Sequence, residues 1–424
     1  MQFKTVKAGQ EWIESVYKFS DKYDLSRMEK ACAMLDHPER TFKSIHIGGT
    51  NGKGSTLTYL KNIFLNNGLS VGTYTSPYIV RFNERITLNN KEIDDEALLD
   101  YINQMYALHQ RYLKEENDQI SFFELVTLMS FLYFRDTKPD IALIEVGLGG
   151  TLDATNVITP EMSVITNIGT DHLHVIGPTI EDVAKNKLGI VKEGVPLVTA
   201  YTQENLTALF EQKVTNCNTT MHRLNDVPVT DIELGLPTRF TFMDARYTLN
   251  MVGLHQVHNA ALALLTAEIY CASQHIPLSQ AAKHEAIEHA FWPGRFEVFG
   301  NIIIDGAHNK EGLESCLSTV TTYYPDKRIK SLFTVMEDKD YAVMLRMLEA
   351  VADEIIFTEI PMPRCEKAEV LLGASKHDHA IAIPKYQEAL KASRPENESE
   401  VLVITGSLYF ISLIRSILKE EQTL

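Results

Sequence analysis

The densest run of chemistry-bearing residues is Gly49-Thr50-Asn51-Gly52-Lys53-Gly54-Ser55. A strand-like segment, Ser44-Ile45-His46-Ile47, leads into it. A helical pattern follows, with Leu57, Leu60, Ile63 and Phe64 on one face and Gly68 as a stop. Between a strand and a helix, glycines let backbone N–H groups curl around a phosphate, and the helix N-terminus adds a favourable dipole. Lys53 offers a point cation for outer phosphates, and the Ser55 hydroxyl offers an oxygen to Mg²⁺. The spacing departs from G-x-x-x-x-G-K-[ST], because two residues separate Gly49 from Gly52 and Gly54 follows Lys53. A glycine-rich surface turn is the plain alternative. Strand, lysine, hydroxyl and helix in one register argue for nucleotide binding.

A nucleotide site with Mg²⁺ needs oxygen ligands. Glu145 ends the apolar run Asp140–Val146, where ligands of open α/β sheets gather; a solvent-facing strand-end Glu is the alternative. Ile168-Gly169-Thr170-Asp171-His172 follows another apolar run, so His172 is a candidate second metal ligand or an ordinary loop histidine. Asp305-Gly306-Ala307-His308-Asn309 follows the run 301–304. It reads equally as a ribose or phosphate contact and as an Asx-type helix cap. Lys187 lies near a helix end and nothing local singles it out. Arg81, Glu84 and Arg85 belong to a polar loop after the first helix.

Several elements must position these residues. Strand-like runs at 44–47, 140–146 and 162–168 alternate with helical patterns around 94–116, 121–135, 180–192, 204–213 and 256–272. That alternation predicts an α/β fold with a parallel sheet. A second series, 301–304, 331–336, 354–359 and 401–404, begins after Trp292-Pro293-Gly294 and predicts a smaller α/β domain. The boundary is expected near 295, giving domains 1–295 and 296–424, with a small β appendage over 219–250. The chain has 424 residues and a formal net charge of −16, with 45% hydrophobic and 23% charged residues. Disorder is excluded, and a polyanion-coating role is disfavoured. The five scattered cysteines form neither a disulfide framework nor a zinc site. The N-terminal MQFKTVKAGQEW lacks the apolar core of a signal peptide, and no run approaches a membrane span. A cytoplasmic protein, without nucleic-acid or membrane partners, is expected.

Read together, ten motifs carry more than any one. These are the Gly49–Ser55 loop, Thr75-Ser76-Pro77, Arg81-Phe82-Asn83-Glu84-Arg85-Ile86, Glu145-Val146-Gly147, Leu152-Asp153-Ala154-Thr155-Asn156 and Thr170-Asp171-His172. Beyond them come His255-Gln256-Val257-His258-Asn259-Ala260, Pro293-Gly294-Arg295, Asp305–Asn309 and Ile404-Thr405-Gly406-Ser407-Leu408-Tyr409. The ordered set resembles the folylpolyglutamate synthase/dihydrofolate synthase family of Mur-ligase-like amide ligases.

That resemblance implies a P-loop parallel-sheet ATPase domain followed by a smaller Rossmann-like α/β domain. It implies ATP-dependent ligation of L-glutamate to a folate, or to dihydropteroate, through an acyl phosphate; apart from the resemblance, a monomer is expected. It assigns ATP to Thr50, Asn51, Gly52, Lys53, Gly54, Ser55, Asn259, Arg295, Asp305 and His308, and Mg²⁺ to Ser76, Glu145 and His172, with Ser55 a further ligand. Lys53, Lys187 and His172 take catalytic roles, Lys187 matching a lysine that becomes carbamylated. Arg85 and Asp153 face the folate. Three positions depart from the pattern. Thr151 stands where many members carry Arg, Lys310 replaces a Pro, and Asn186-Lys187-Leu188-Gly189 stands for Glu-Lys-Ala-Gly. A cell-wall amino-acid ligase and a nucleotide-driven switch without ligase chemistry are the competing readings.

Overall fold

The computed structural model describes residues 3–17, 24–171 and 176–423. It divides into two compact units, Met1–Pro228 with Asn259–Ile287, and Val229–His258 with Glu288–Leu424.

The first unit is built on an eight-stranded sheet. Its strands are β1 (Ser44–Gly48), β2 (Val71–Tyr74), β3 (Ile86–Leu88), β4 (Lys91–Glu92), β5 (Ile141–Glu145), β6 (Met162–Ile165), β7 (Leu197–Thr199) and β8 (Met221–Arg223). They lie in the order β4-β3-β2-β5-β1-β6-β7-β8. The run from β2 to β8 is parallel, and β3 and β4 add an antiparallel edge. β5, Ile-Ala-Leu-Ile-Glu, is buried throughout, as a strand covered on both faces must be. β1 sits centrally, with Ile47 opposite Glu145 on one side and Val164 on the other. This register brings the carboxyl ends of β1, β5 and β6 side by side. The edge pair β3–β4 follows directly on the polar loop that ends at Arg85 and was not expected, because three- and two-residue strands are too short to show alternation.

Helices α1 (Val6–Ser15), α2 (Ser26–Met34), α3 (Lys53–Asn66), α4 (Asp95–Glu116) and α5 (Phe122–Thr137) contribute to the first unit. Ser121 and Glu124 close a capping box at the start of α5. The same Glu124 carboxylate accepts from the buried Arg27 Nε at 3.1 and 3.2 Å, pinning α2 to α5. Helix α6 (Ile180–Lys187) is followed by α7 (Thr207–Asn216), α8 (Leu254–Ser273) and α9 (Gln280–Glu288). The helix expected over 180–192 stops at Lys187 and tightens into a 3₁₀ turn, Leu188–Ile190. Lys187 therefore sits at a helix end.

In the second unit, β9 (Val229–Glu233), β10 (Thr238–Phe242) and β11 (Ala245–Leu249) form an antiparallel sheet. Phe240 and Phe242 are buried while Arg239 is exposed, the period of two that their alternation predicts. The appendage expected over 219–250 is thus divided, since β8 belongs to the large sheet. A six-stranded sheet orders β12 (Glu297–Phe299), β13 (Ile302–Ile304), β17 (Glu400–Thr405), β14 (Arg328–Phe333), β15 (Glu354–Glu359) and β16 (Ala380–Lys385). All but β12 run parallel. Helices α10 (Lys310–Tyr323), α11 (Tyr341–Glu349), α12 (Ala368–Ala374), α13 (Tyr386–Ser393) and α14 (Leu408–Thr423) complete this Rossmann-like unit. Apolar clusters on either face, one around Leu313, Phe333 and Phe357 and one around Ile304, Ile356 and Phe410, hold it.

The centre of the large sheet carries one polar chain. His46 on β1 is fully buried, and its Nε2 lies 2.8 Å from the Thr155 hydroxyl. That hydroxyl donates to Asp153 Oδ1. Having one proton to give, Thr155 must accept from His46, which fixes the Nε2–H tautomer. Burial, then Lys192, pull the His46 pKa down to about 3. The native state therefore keeps His46 neutral while the unfolded chain takes a proton near its ordinary value of 6.5. Stability should fall as pH drops through the window between these values, by at most about 1.4 kcal/mol per pH unit. Urea midpoints of His46→Gln, followed from about pH 6 to about pH 4, should show a shallower acid slope than the parent chain. An identical slope would remove His46 from the acid-unfolding balance.

Candidate functional site

The Gly49–Ser55 loop leaves the carboxyl end of β1 and enters α3 through Gly52, whose φ of +82° is one that L side chains rarely adopt. A second stretch, Thr166–Gly169 after β6, backs it. Thr50 N donates to Asn167 O at 3.1 Å, and Asn51 N donates to Asn167 Oδ1 at 2.9 Å. Thr166 Oγ1 donates to Asn51 O at 2.6 Å, and Gly169 N donates to Thr50 Oγ1 at 2.9 Å. Asn259, on α8, closes the other side: a Cβ on Gly52 would lie 2.4 Å from Asn259 Oδ1. Lys53 Nζ folds over the loop onto the carbonyls of Gly49 and Thr50, at 3.1 and 3.3 Å. Ser55 is buried behind them in the first turn of α3.

Beside the loop, Ser76 N donates to Glu145 Oε2 at 3.3 Å, so two of the expected Mg²⁺ ligands meet. Among the described residues, no group of three or more His, Cys, Asp or Glu could hold a metal ion. The buried Glu145 carboxylate, next to the Ser76 backbone, still fits Mg²⁺, a hard cation that retains waters and takes phosphate oxygens. His172 lies outside the described residues. Lys187 is buried at the end of α6. Burial first, then repulsion from Lys53, pull its pKa down to about 7 against the attraction of Asp171 and Asp153. The neutral amine, with its nucleophilic lone pair, is therefore far more accessible near neutral pH than in an ordinary lysine.

Arg85 and Asp153, the expected folate contacts, are both buried. The Arg85 guanidinium lies among three rings, 5.0 Å from the centroid of Tyr78, 5.5 Å from Phe82 and 5.6 Å from Phe122. Among the described residues its Nε has no hydrogen-bond partner. Asp153 is engaged within its own loop. It accepts from Leu148 N at 2.7 Å, from Thr155 N at 3.0 Å and from the Thr155 hydroxyl. Burial nonetheless holds its pKa above the ordinary carboxylate value.

In the second unit, Asp305 accepts from Phe296 N at 2.8 Å and from Ala307 N at 2.9 Å, which shapes the turn after β13. Its pKa is raised by burial, against the lowering effect of Arg295. His308 Nδ1 lies 2.9 Å from Gly306 O, and Asn309 caps α10 through Gly312 N at 2.8 Å. His255, at the start of α8, is pulled down to about 4 by burial and then by Arg295 and His258. Arg295, Asp305, His308 and His255 therefore share one neighbourhood. Sequence reasoning missed the backing residues Thr166 and Asn167 and the rings around Arg85. Their signal was weak, a polar pair just past an apolar strand and aromatics spread over 45 positions.

Two family models match the chain, the Mur ligase middle domain over residues 47–267 and the Mur ligase glutamate ligase domain over 294–408. The dihydrofolate synthase/folylpolyglutamate synthase of Bacillus subtilis is 37% identical over 98% of this chain and 100% of its own. The folylpolyglutamate synthase of Lacticaseibacillus casei is 34% identical over 96% of this chain and 97% of its own. Among solved structures, a complex of folylpolyglutamate synthase with AMPPCP and folate matches with a TM-score of 0.86 and 30% identity. It covers 98% of this chain and 99% of that one. The Thermotoga maritima folylpolyglutamate synthase matches with a TM-score of 0.84 and 32% identity, over 98% and 97%. Parallel sheets, phosphate loop and full-length likeness agree, and the chain belongs to the folylpolyglutamate synthase/dihydrofolate synthase family of Mur ligases.

Proposed function

We propose that this chain is an ATP-dependent amide ligase that joins L-glutamate to the carboxylate of a folate. The observation that carries the reading is full-length similarity to enzymes named for that chemistry, together with a glycine loop at the end of β1 that Asn167 holds in shape, that Lys53 folds over and that runs into the N-terminus of α3. Dihydropteroate is proposed as a second acceptor, favoured by the double name of the Bacillus subtilis relative. The enzyme is proposed to act as a cytoplasmic monomer; among the described residues no helix is long and apolar enough to cross a membrane.

The loop backbone and Lys53 hold the phosphates and draw charge from the γ-phosphoryl group as an acceptor carboxylate oxygen attacks its phosphorus; the bond to the β,γ-bridging oxygen breaks and ADP leaves. The resulting acyl phosphate has a good leaving group. The glutamate amino group adds to its carbonyl carbon, loses a proton and expels phosphate, leaving an amide. Mg²⁺, when bound by Ser76, Glu145, His172 and Ser55, neutralises phosphate charge. Arg85 is suited to an anionic acceptor, since its guanidinium is already desolvated and oriented by rings. Asp153 contributes through the loop it folds. Asn259, Arg295, Asp305 and His308 are proposed ATP contacts, with 1–295 as the ATP-binding part and 296–424 as the ligase part. Lys187 is proposed to be carbamylated. Its neutral amine adds to the carbon of CO₂ and releases one proton, which turns a buried cation into a carboxylate beside the phosphate loop.

Phosphate release from ATP and Mg²⁺ should require a reduced folate and L-glutamate together. Release that proceeds without either one overturns the ligase reading and favours the switch. A parallel assay with dihydropteroate decides the second acceptor.

Gly52→Ala should lose most binding of a non-hydrolysable ATP analogue, because a Cβ meets Asn259 and the positive φ is strained by about 1–2 kcal/mol. Gly68→Ala carries a comparable φ of +87° with nothing within 4 Å, so it should cost stability alone. Calorimetric titration of both variants separates strain from contact; equal affinities would remove the Gly52–Asn259 contact from the binding argument.

Lys187→Ala should lose turnover and regain part of it with added short carboxylates. Since neutral amine accumulates as pH rises through about 7, the carbamate signal of the parent chain should grow across that range. A variant that stays inactive with every carboxylate leaves Lys187 without the proposed role.

A further inference from the structure

The Gly147–Asn156 loop after β5 meets the end of α6 backbone to backbone, and glycines permit the approach. A Cβ on Gly150 would lie 2.7 Å from Asn186 O and 3.0 Å from Lys187 Cα. A Cβ on Gly189 would lie 2.1 Å from Thr151 Oγ1 and 2.4 Å from Thr151 Cα. Across this gap Thr151 makes two donations to one acceptor, its N and its Oγ1 each lying 2.9 Å from Asn186 O. The Asn156 amide then bridges the two segments, donating to Thr151 O at 2.9 Å and to Gly189 O at 3.2 Å.

Asn186 O belongs to the peptide that leads into Lys187. The backbone N–H groups of Thr151 and, at the close of α6, of Leu188 both reach that carbonyl. The Thr151 hydroxyl adds a side-chain donor that narrows the tilt left to the peptide. We infer that Thr151 is a positioning residue for Lys187: its hydroxyl, added to its own N–H, locks the Asn186–Lys187 peptide and so sets where Lys187 Nζ is delivered. The Arg of the family pattern would supply the N–H without a γ-hydroxyl, so this clamp belongs to the present sequence. The inference rests on the proposed role of Lys187, and its test keeps the two apart.

Thr151→Val removes the hydroxyl and keeps the shape, while Thr151→Ser keeps the donor. The ¹³C carbamate signal of the parent chain and both variants is titrated with ¹³C-bicarbonate, without ATP or Mg²⁺, and thermal midpoints are recorded alongside. Thr151→Val should need about three- to tenfold more bicarbonate for half of the signal, the effect of losing one neutral hydrogen bond. Thr151→Ser should match the parent chain. Equal half-points in all three proteins, or a Ser variant as impaired as Val, overturn the inference. If the parent chain shows no carbamate, the reading of Lys187 fails, and reductive methylation of Lys187 followed by mass spectrometry decides the positioning claim. A changed methylation rate in Val that Ser restores supports it, and one rate in all three overturns it.

Discussion

The phosphate loop depends on a neighbouring loop to hold its shape. Backbone and side-chain hydrogen bonds join Thr50 and Asn51 to Thr166, Asn167 and Gly169. Both segments emerge from adjacent parallel strands, so the β1–β6 register sets their spacing before any side chain acts. A glycine-rich loop carries a large conformational entropy and would sample many shapes alone. Clamped on one side by the β6 loop, which takes the Thr50 and Asn51 N–H groups, and on the other by Asn259, it holds one shape. Glu145 is placed by the same logic one strand over, because β5 pairs with β1 with Glu145 opposite Ile47.

Charge is organised by burial at this site, and the formal charge of −16 says little about it. Lys187 is buried and repelled by Lys53, so its amine loses its proton far more readily than an ordinary lysine. Arg85 cannot respond in that way, since a guanidinium stays protonated in proteins. Its burial is instead made tolerable by the faces of three aromatic rings. Two cations in similarly dry places thus reach opposite outcomes. One gives up its proton more readily, and the other remains a fixed positive charge.

The features legible in the sequence were those with a strong local period or a dense motif. β5 was visible as an unbroken apolar run, α3 as a 3.6-residue pattern, and the phosphate loop as glycines beside a lysine and a serine. The edge strands β3, β4 and β8 were not, because two or three residues cannot display a period. The backing residues Thr166 and Asn167 were not either, since a Thr-Asn pair past a strand reads as any loop. Lys187 shows the limit most clearly. Its identity was plain, but its lowered pKa arises from burial and from Lys53, far away in sequence. No local reading of Asn186-Lys187-Leu188-Gly189 contains that information.

Asp153 and Asp305 refine what a motif residue contributes. The ordered motifs assign each aspartate to a ligand, yet each directs its carboxylate into its own turn, Asp153 onto Leu148 and Thr155 and Asp305 onto Phe296 and Ala307. A buried carboxylate needs donors, and backbone N–H groups in a tight turn supply them at close to fixed geometry. The carboxylate therefore selects one loop conformation among many, and the loop then positions other groups. For Asp153 those groups include Thr151, whose two donations hold the peptide before Lys187. Its chain through Thr155 to His46 anchors the same loop in β1, the strand that delivers the phosphate loop. One aspartate thereby fixes the segment lying between the phosphate loop's strand and the lysine's helix, a role for which Asn would lack the charge and Glu would have the wrong reach.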